Sequence, residues 1–410
     1  MHLRTLKELN VLSKKVLVCA GFDVPIISGK VAEDFRIHAA LPTLRYLESH
    51  RAKIIIITTL GRPSGWEDQY SLEPVADKLA ELWKKKFVVI PENSAKLPEY
   101  PIPHLYFFKH NIEKHDIRPL IEQMRERDVV VLENLRFYEG EQRNDPAFAK
   151  RLASLAAVYV GDDFSKSHRS EASIAGVPKL LPSAAGFMFE KEVSVLSRVL
   201  KHPKKPVVVM MGGAKLADKM DALLNLARTA DYLLLGGEIA NLIFRIRDLE
   251  VGKSFWHEKN EENMARQLWR DYKDKIQLPV DVVVATDKDS QAECVKIDKV
   301  KPNQMILDIG PESIRLFSEY LRKGQTLIWS GPLGYIEKKA FSHGTSALAR
   351  LFASRTKTSV FGVAGGGETV EVIGRLGLEP YIDHVSTGGG AMLEFLAGKA
   401  LPGVEALTSR

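Results

Sequence analysis

Cys19 and Cys294 are the only thiols in 410 residues. Two cysteines are too few for a disulfide framework and are not spaced as a metal knuckle, which agrees with a reducing compartment and with two buried thiols. Long apolar runs are missing as well. The longest, such as Ile54–Ile57 and Tyr232–Leu235, have strand length, far below the ~18 residues of a membrane helix. The start, Met1-His-Leu-Arg-Thr5, has no apolar stretch behind its positive charge, so the cytoplasm is the expected location. Charge of one sign is in little excess, with a formal balance of +6. The basic runs Lys84-Lys85-Lys86 and Lys204-Lys205 are short and sit at segment ends, which favours solvated surface over a nucleic-acid or membrane partner.

What is present is an ordinary globular composition, 45% hydrophobic and 27% charged. The chain is too long for one core, and at ~150 residues per domain two large units fit best. Short β-branched runs recur: Val16-Leu-Val-Cys19, Lys53–Ile57, Val129–Leu132, Val158-Tyr-Val160, Val207–Met210, Tyr232–Leu235, Val282–Ala285, Leu327-Ile-Trp329 and Ser359-Val-Phe361. Amphipathic stretches alternate with them, over 39–49, 73–84, 146–156, 220–229 and 313–321. Strands apolar throughout are buried on both faces, so the fold class is α/β, with two doubly wound, mainly parallel-sheet domains. A long helix over about 184–200, ending at His202-Pro203, joins them. The first domain is placed at 1–178, the joining segment at 179–203 and the second domain at 204–391, while the Pro-rich stretch 91–103 reads as an irregular excursion.

Chemistry concentrates in glycine turns and arginines. Met211-Gly-Gly-Ala-Lys-Leu-Ala-Asp-Lys219 follows a strand and opens a helix. Its glycines let backbone N–H groups approach a phosphate, and Lys215 and Lys219, four apart, share a helical face. It is not a Walker loop. Further turns follow at Leu235-Gly-Gly-Glu238, Ser330-Gly-Pro-Leu-Gly-Tyr-Ile-Glu337, Val363-Ala-Gly-Gly-Gly-Glu-Thr369 and Ser386-Thr-Gly-Gly-Gly390. So many turns in one half point to a backbone-lined nucleotide site, with Glu337 suited to ribose hydroxyls and Glu368 to magnesium on the phosphates. In the first half Arg36, Arg62, Arg136 and Arg169 follow strands or open helices, and guanidinium forks recognise phosphate and carboxylate. For any one of them taken singly, an ordinary surface ion pair is the favoured account, and convergence of several is what would make a site.

In order along the chain, Arg36-Ile-x-Ala-Ala-Leu-Pro-Thr43, Leu60-Gly-Arg-Pro63, Leu132-Glu-Asn-Leu-Arg-Phe137, Gly212-Gly-Ala-Lys-x3-Lys219, Leu278-Pro-Val-Asp281, Leu307-Asp-Ile-Gly-Pro311, Ser386-Thr-Gly-Gly-Gly-Ala391 and Leu401-Pro-Gly-Val-Glu-Ala-Leu407 resemble phosphoglycerate kinase. The resemblance covers nearly the whole chain. It implies two doubly wound domains, the first binding 3-phosphoglycerate and the second ADP or ATP with Mg2+, with a tail, 392–410, returning to the first domain. It implies a monomer that acts on small molecules, with neither a nucleic-acid nor a membrane partner. Arg62, Arg136 and Arg169 would grip the substrate phosphate, with Gly21, Phe22, Asp23, Thr59, Leu60 and Gly61 in the same acid site. Arg36 and Lys215 would stabilise the phosphoryl group in flight, Lys219 would lie on the nucleotide phosphates, and Gly366 and Gly389 would present helix N-termini to the transferred charge. Gly212, Gly213, Gly236, Gly237, Gly310, Pro332, Glu337, Gly365, Gly367 and Thr369 would complete the nucleotide site, with Glu368 on the magnesium.

The chain also departs from the family pattern. Cys19-Ala-Gly-Phe-Asp-Val-Pro25 stands where the family usually has Arg-Val-Asp-Phe-Asn-Val-Pro, so an arginine and an aspartate are replaced by Cys19 and Gly21. Thr59 replaces a histidine, Ser165-Lys-Ser-His-Arg-Ser-Glu171 replaces a motif of glycine, alanine and histidine, and Glu368 replaces an aspartate. On a continuing strand Asp23 would face the same side as Gly21 and restore part of the lost contact. Three readings stay open: a phosphoglycerate kinase with a remodelled site, a sibling kinase acting on another small phosphorylated acid, and a nucleotide-binding homologue without catalysis.

Overall fold

The computed structural model describes residues 2–214, 216–255 and 259–409. The chain divides into two compact units, Met1–Val193 with Ala400–Arg410, and Ser194–Lys399. Among the described residues no helix is long and apolar enough to cross a membrane.

The first unit is built on seven parallel strands. Across the sheet they run Ser183–Ala185, Val158–Asp162, Lys15–Ala20, Lys53–Ile57, Val129–Leu132, His104–Phe108 and Lys86–Ile90. Val16, Ile54, Ile56, Val129 and Val131 are all buried at 0% exposure, because helices such as Phe35–Ser49 and Glu73–Trp83 cover the sheet. From Lys15–Ala20 the chain moves to Lys53–Ile57 on one side. Its other neighbour, Val158–Asp162, leads away to Ser183–Ala185. The strand order therefore reverses between Lys15–Ala20 and Val158–Asp162, and a crevice opens at their carboxyl ends. The chain ends are tied to the same unit: His2 and Leu3 pair with Ser409 and Thr408, and Arg4 donates to the Ala406 carbonyl at 2.7 Å.

The second unit carries six parallel strands in the order Ile276–Gln277, Tyr232–Leu235, Val207–Met211, Thr326–Ser330, Phe361–Gly365 and His384–Val385. Here the order reverses between Val207–Met211 and Thr326–Ser330. Trp329, Phe317 and Phe352 fill the core on one face of this sheet.

Several elements differ from the sequence reading. Val282–Ala285 belongs to the strand Asp281–Ala285, but that strand lies in a separate antiparallel sheet with Glu293–Lys296 and Met305–Ile309. The exposed, lysine-bearing partner Glu293–Lys296 explains why it resembled no strand in the sequence. The joining helix is Phe187–Lys201 rather than 184–200, because Ala184 and Ala185 pair with Val160 and Gly161. The division between units falls inside that helix, at Val193/Ser194, later than the expected end at 178. The returning tail is 400–410 rather than 392–410. Residues before it stay with the second unit, where Leu396 O accepts from Asn225 at 2.7 Å and Lys399 pairs with Asp221 at 2.7 Å.

Burial favours the protonated form of three carboxyls inside the units. Desolvation pushes Asp162, Glu141 and Asp308 each up to about 7. In the unfolded chain these groups titrate near ~4, so the folded chain binds more protons between ~4 and ~7 and stability falls as pH rises through that window. Asp162→Asn keeps the acceptor for the Phe189 amide and removes the ionisation. Thermal melts of this variant should show a flatter fall in Tm across the window and a gain at pH ~8, about 2–4 °C for each kcal/mol recovered. An unchanged slope would mean that Asp162 is ionised in the folded chain.

Candidate active site

In the second unit two turns meet at the reversal of strand order. Gly212 and Gly213 follow Val207–Met211, and Gly331 and Pro332 follow Thr326–Ser330. The backbones touch: a Cβ at Gly212 would lie 2.1 Å from Pro332 O, and one at Gly331, where φ is +85°, 2.1 Å from Gly212 O. Only glycine fits either place. Gly331 N donates to Thr369 Oγ1 at 2.7 Å, so Thr369, buried at 0% exposure, fixes the turn instead of facing a ligand. The helix Leu216–Thr229 carries Lys219 back over this junction. Its ammonium donates to the carbonyls of Gly212 at 2.8 Å and Ala214 at 2.7 Å, and lies 3.9 Å from Glu368 Oε2. A lysine with only 8% of its side chain exposed, resting on carbonyl oxygens beside a carboxylate, is well placed to move onto a phosphate.

A cavity of about 510 Å³ opens from this junction. Gly213, Gly237, Glu238, Pro332, Glu337 and Glu368 supply its polar rim, and Phe255, Met305, Leu307, Leu333 and Ile336 an apolar wall. The wall suits a flat heterocycle and the rim a charged tail. The apolar lining was not legible beforehand, since Phe255, Met305 with Leu307, and Leu333 with Ile336 come from three separated segments. Gly366, at φ +100°, precedes the helix Gly367–Arg375, and Gly389, at φ +51°, precedes Gly390–Leu396. Gly365 is pressed against Met392, where a Cβ would lie 2.2 Å from its sulfur. Two expected members are structural. Gly310 donates to Asp281 O at 2.9 Å to start the helix Pro311–Lys323, and Gly236 packs under Leu333, neither lining the cavity. Lys215 lies outside the described residues.

In the first unit, two acids gather the arginines. Arg36 donates to the Asp23 carbonyl at 3.1 Å, and Arg136 stands 3.8 Å from the Asp23 carboxylate while donating to the Gly61 carbonyl. Arg136 and Arg169 each come within 4.0 Å of Glu171 Oε1. Arg62 is exposed and has no ion-pair partner among the described residues. The loop Leu60-Gly-Arg62 is set by Asn134, whose side chain accepts from Leu60 N at 3.1 Å and donates to Leu60 O at 2.8 Å. Gly61, at φ +61°, packs so tightly on Tyr70 that a Cβ would lie 2.3 Å from its ring.

Other expectations for this unit are corrected. Phe22 and Leu60 turn into the core at 0% and 4% exposure, so they support the site without facing it. The strand ends at Ala20, so Gly21 and Asp23 do not share a face. Asp23 Oδ1 accepts from Gly61 N at 3.0 Å, whereas Gly21 faces Asp163. Thr59 is buried at 2% exposure with no hydrogen-bond partner for Oγ1 among the described residues. Asp163, Lys166 and Glu171 were not among the candidates. The available signals were the acidic pair Asp162-Asp163 closing an apolar strand and a lysine in the turn after it.

Residues 6–399 match the model of the family described as Phosphoglycerate kinase. The chain belongs to the phosphoglycerate kinase family. The phosphoglycerate kinase of Pelotomaculum thermopropionicum is 39% identical to this chain and that of Moorella thermoacetica 40%, with 99–100% of each chain covered. Among solved structures, phosphoglycerate kinase from Coxiella burnetii has a TM-score of 0.82 at 34% identity, covering 99% of this chain and 98% of its own. Phosphoglycerate kinase from Pyrococcus horikoshii gives 0.80 at 29% identity, covering 98% of each. The expected family and α/β fold are thus both found. The junction of Gly212 and Gly331 leaves no room for a side chain: Gly331→Ala should cost about 1–3 kcal/mol of stability by combining positive φ with a clash. Chemical unfolding measures this, and a loss below ~0.5 kcal/mol would mean that the two turns part to admit a methyl group.

Proposed function

We propose that the chain is a phosphoglycerate kinase that catalyses 1,3-bisphosphoglycerate + ADP = 3-phosphoglycerate + ATP, a step of glycolysis and gluconeogenesis. The observation that carries this reading is full-length similarity at 38–40% identity to proteins of that name, supported by Arg36 and Arg136 beside Asp23 in the first unit and by Lys219 at the glycine junction of the second. The first unit takes the acid and the second the nucleotide. Arg62, Arg136 and Arg169 bind the phosphate that 3-phosphoglycerate already carries, while Arg36 and Lys215 meet the phosphoryl group in transit. Lys219 leaves the carbonyls of Gly212 and Ala214 for the nucleotide phosphates, and Glu337 receives the ribose. Gly366 and Gly389 offer backbone N–H groups to negative charge at the starts of their helices. The acceptor is a carboxylate, which needs no general base, so positioning and fixed positive charge supply the catalysis.

Among the described residues no group of three His, Cys, Asp or Glu side chains could hold a metal. A magnesium ion here would therefore take Glu368 as its protein ligand and fill its other positions from phosphates and water, which is how Mg2+ usually accompanies a nucleotide. Glu368 fits that task, because it lines the cavity with 43% of its side chain exposed beside Lys219. Bound there, the ion neutralises phosphate charge and orients the transferred group. A monomer in the cytoplasm completes the reading.

A coupled assay with ATP, Mg2+ and 3-phosphoglycerate tests it, and turnover lost on omission of either substrate or the metal is the expected result. A chain that transfers phosphate only to another phosphorylated acid would be a sibling kinase, and one that binds ATP without transfer would be a binding protein. Lys219→Ala should weaken ATP about 10–100-fold in calorimetry, since it removes charge-assisted contacts to phosphate. Unchanged affinity would sink its role.

A further inference from the structure

Residue 21 has no side chain, yet the volume a side chain would fill is taken. A Cβ built on Gly21 would lie 2.9 Å from Asp163 Oδ1 and 3.2 Å from its Cγ. Gly21 directly follows Lys15–Ala20 and Asp163 directly follows Val158–Asp162, the two neighbours between which the strand order reverses. The Asp163 carboxylate thus fills, from the end of the neighbouring strand, the space that a side chain at position 21 would take. Asp163 Oδ1 accepts from Ser165 Oγ at 2.6 Å. Its Oδ2 stands 3.6 Å from Lys166 Nζ, and neither of these atoms has a hydrogen-bond partner among the described residues. Their side chains are 2% and 6% exposed. Buried charged groups seldom leave hydrogen-bonding capacity unused, because doing so forfeits the solvation they lost.

The pair adjoins the arginines. Lys166 and Glu171 both lie close enough to Glu141 to act on its charge, and Glu171 is the acid that Arg136 and Arg169 approach. Lys166 and Asp163 likewise flank the buried thiol of Cys19. One cation and one anion are missing at positions 19 and 21 relative to the family pattern, and one of each is present at 166 and 163. A separation of 3.6 Å is too long for a direct hydrogen bond. A single oxygen about 2.8 Å from both atoms bridges it, provided that it can donate to the carboxylate and accept from the ammonium. A hydroxyl group does both.

We propose that Asp163 and Lys166 are the specificity-determining pair of the acid site, recognising the hydroxyl of a phosphorylated hydroxy acid from the strand opposite Gly21. This rests on the assignment of the first unit to the acid substrate. The competing occupant is a buried water, which would give no preference between acids.

The test compares calorimetric binding of 3-phosphoglycerate and 3-phosphopropionate, which lacks the hydroxyl, to the full chain. The wild type should favour the hydroxy acid at least about tenfold, and Asp163→Ala should reduce that preference to within about threefold while leaving ATP affinity unchanged. Asp163→Ala/Lys166→Met removes both charges together and leaves none unpaired, so it should fold and lose the preference equally. Gly21→Asp alone sets two carboxylates in contact and should lower both Tm and acid affinity. Gly21→Asp/Asp163→Ala should restore both. A wild type with no preference, one binding neither acid at millimolar concentration, or variants that keep the full preference would each overturn the proposal. If binding behaves as stated but the wild type turns over no 3-phosphoglycerate, the pair stands and the proposed reaction falls.

Discussion

Both units depend on one constraint: neighbouring parallel strands end side by side while their connections leave in opposite directions. No crossover covers the ends at that point, so whatever lies there is presented to a ligand. In the second unit the crevice is closed down to backbone, with Gly212 and Gly331 against Pro332 and Gly212 respectively. That contact puts the Gly212 and Ala214 carbonyls within reach of Lys219, and it lets Glu368 approach the same ammonium. In the first unit the equivalent position is filled by a side chain, Asp163, from the neighbouring strand.

The electrostatics of the two crevices follow from that difference. Backbone carbonyls hold Lys219 with partial charges, which yield readily to a phosphate carrying full ones. The first unit instead uses whole carboxylates. The Asp23 and Glu171 carboxylates stand 3.8–4.0 Å from Arg136 and Arg169 and offset the repulsion between these guanidinium groups, while Arg36 rests on the Asp23 carbonyl at 3.1 Å. Buried pairs of this kind contribute little to stability, since desolvation offsets most of their attraction. Their position beside the crevice makes a recognition role the better account.

Burial also sorts the acids of each unit by task. Asp162, one residue before Asp163, turns inward to the Phe189 amide and is pushed up to about 7, whereas Asp163 keeps a cation 3.6 Å away. Adjacent residues at a strand end point to opposite sides, so the same residue type caps a helix amide in one place and stands beside a lysine in the next.

Apolar strand runs such as Val16–Cys19, Ile54–Ile57 and Val207–Met210 decided the α/β class from sequence alone, because a strand buried on both faces must be apolar at every position. Ordered motifs likewise identified the family, the glycine turns and Lys219. Strands with mixed or aromatic sequences, Lys86–Ile90 and His104–Phe108, were not legible, since their burial comes from neighbours distant along the chain. The same holds for the antiparallel setting of Asp281–Ala285 and for the sharing of Asp23 and Glu171 among arginines up to 133 positions apart. Gly21 shows the limit most plainly: the sequence records a missing carboxylate, and only strand adjacency reveals that Asp163, far along the chain, occupies its space. Which residues line each face is local chemistry that a sequence carries, but which faces meet is fixed by the order of strands in the sheet, and that exists only in the folded chain.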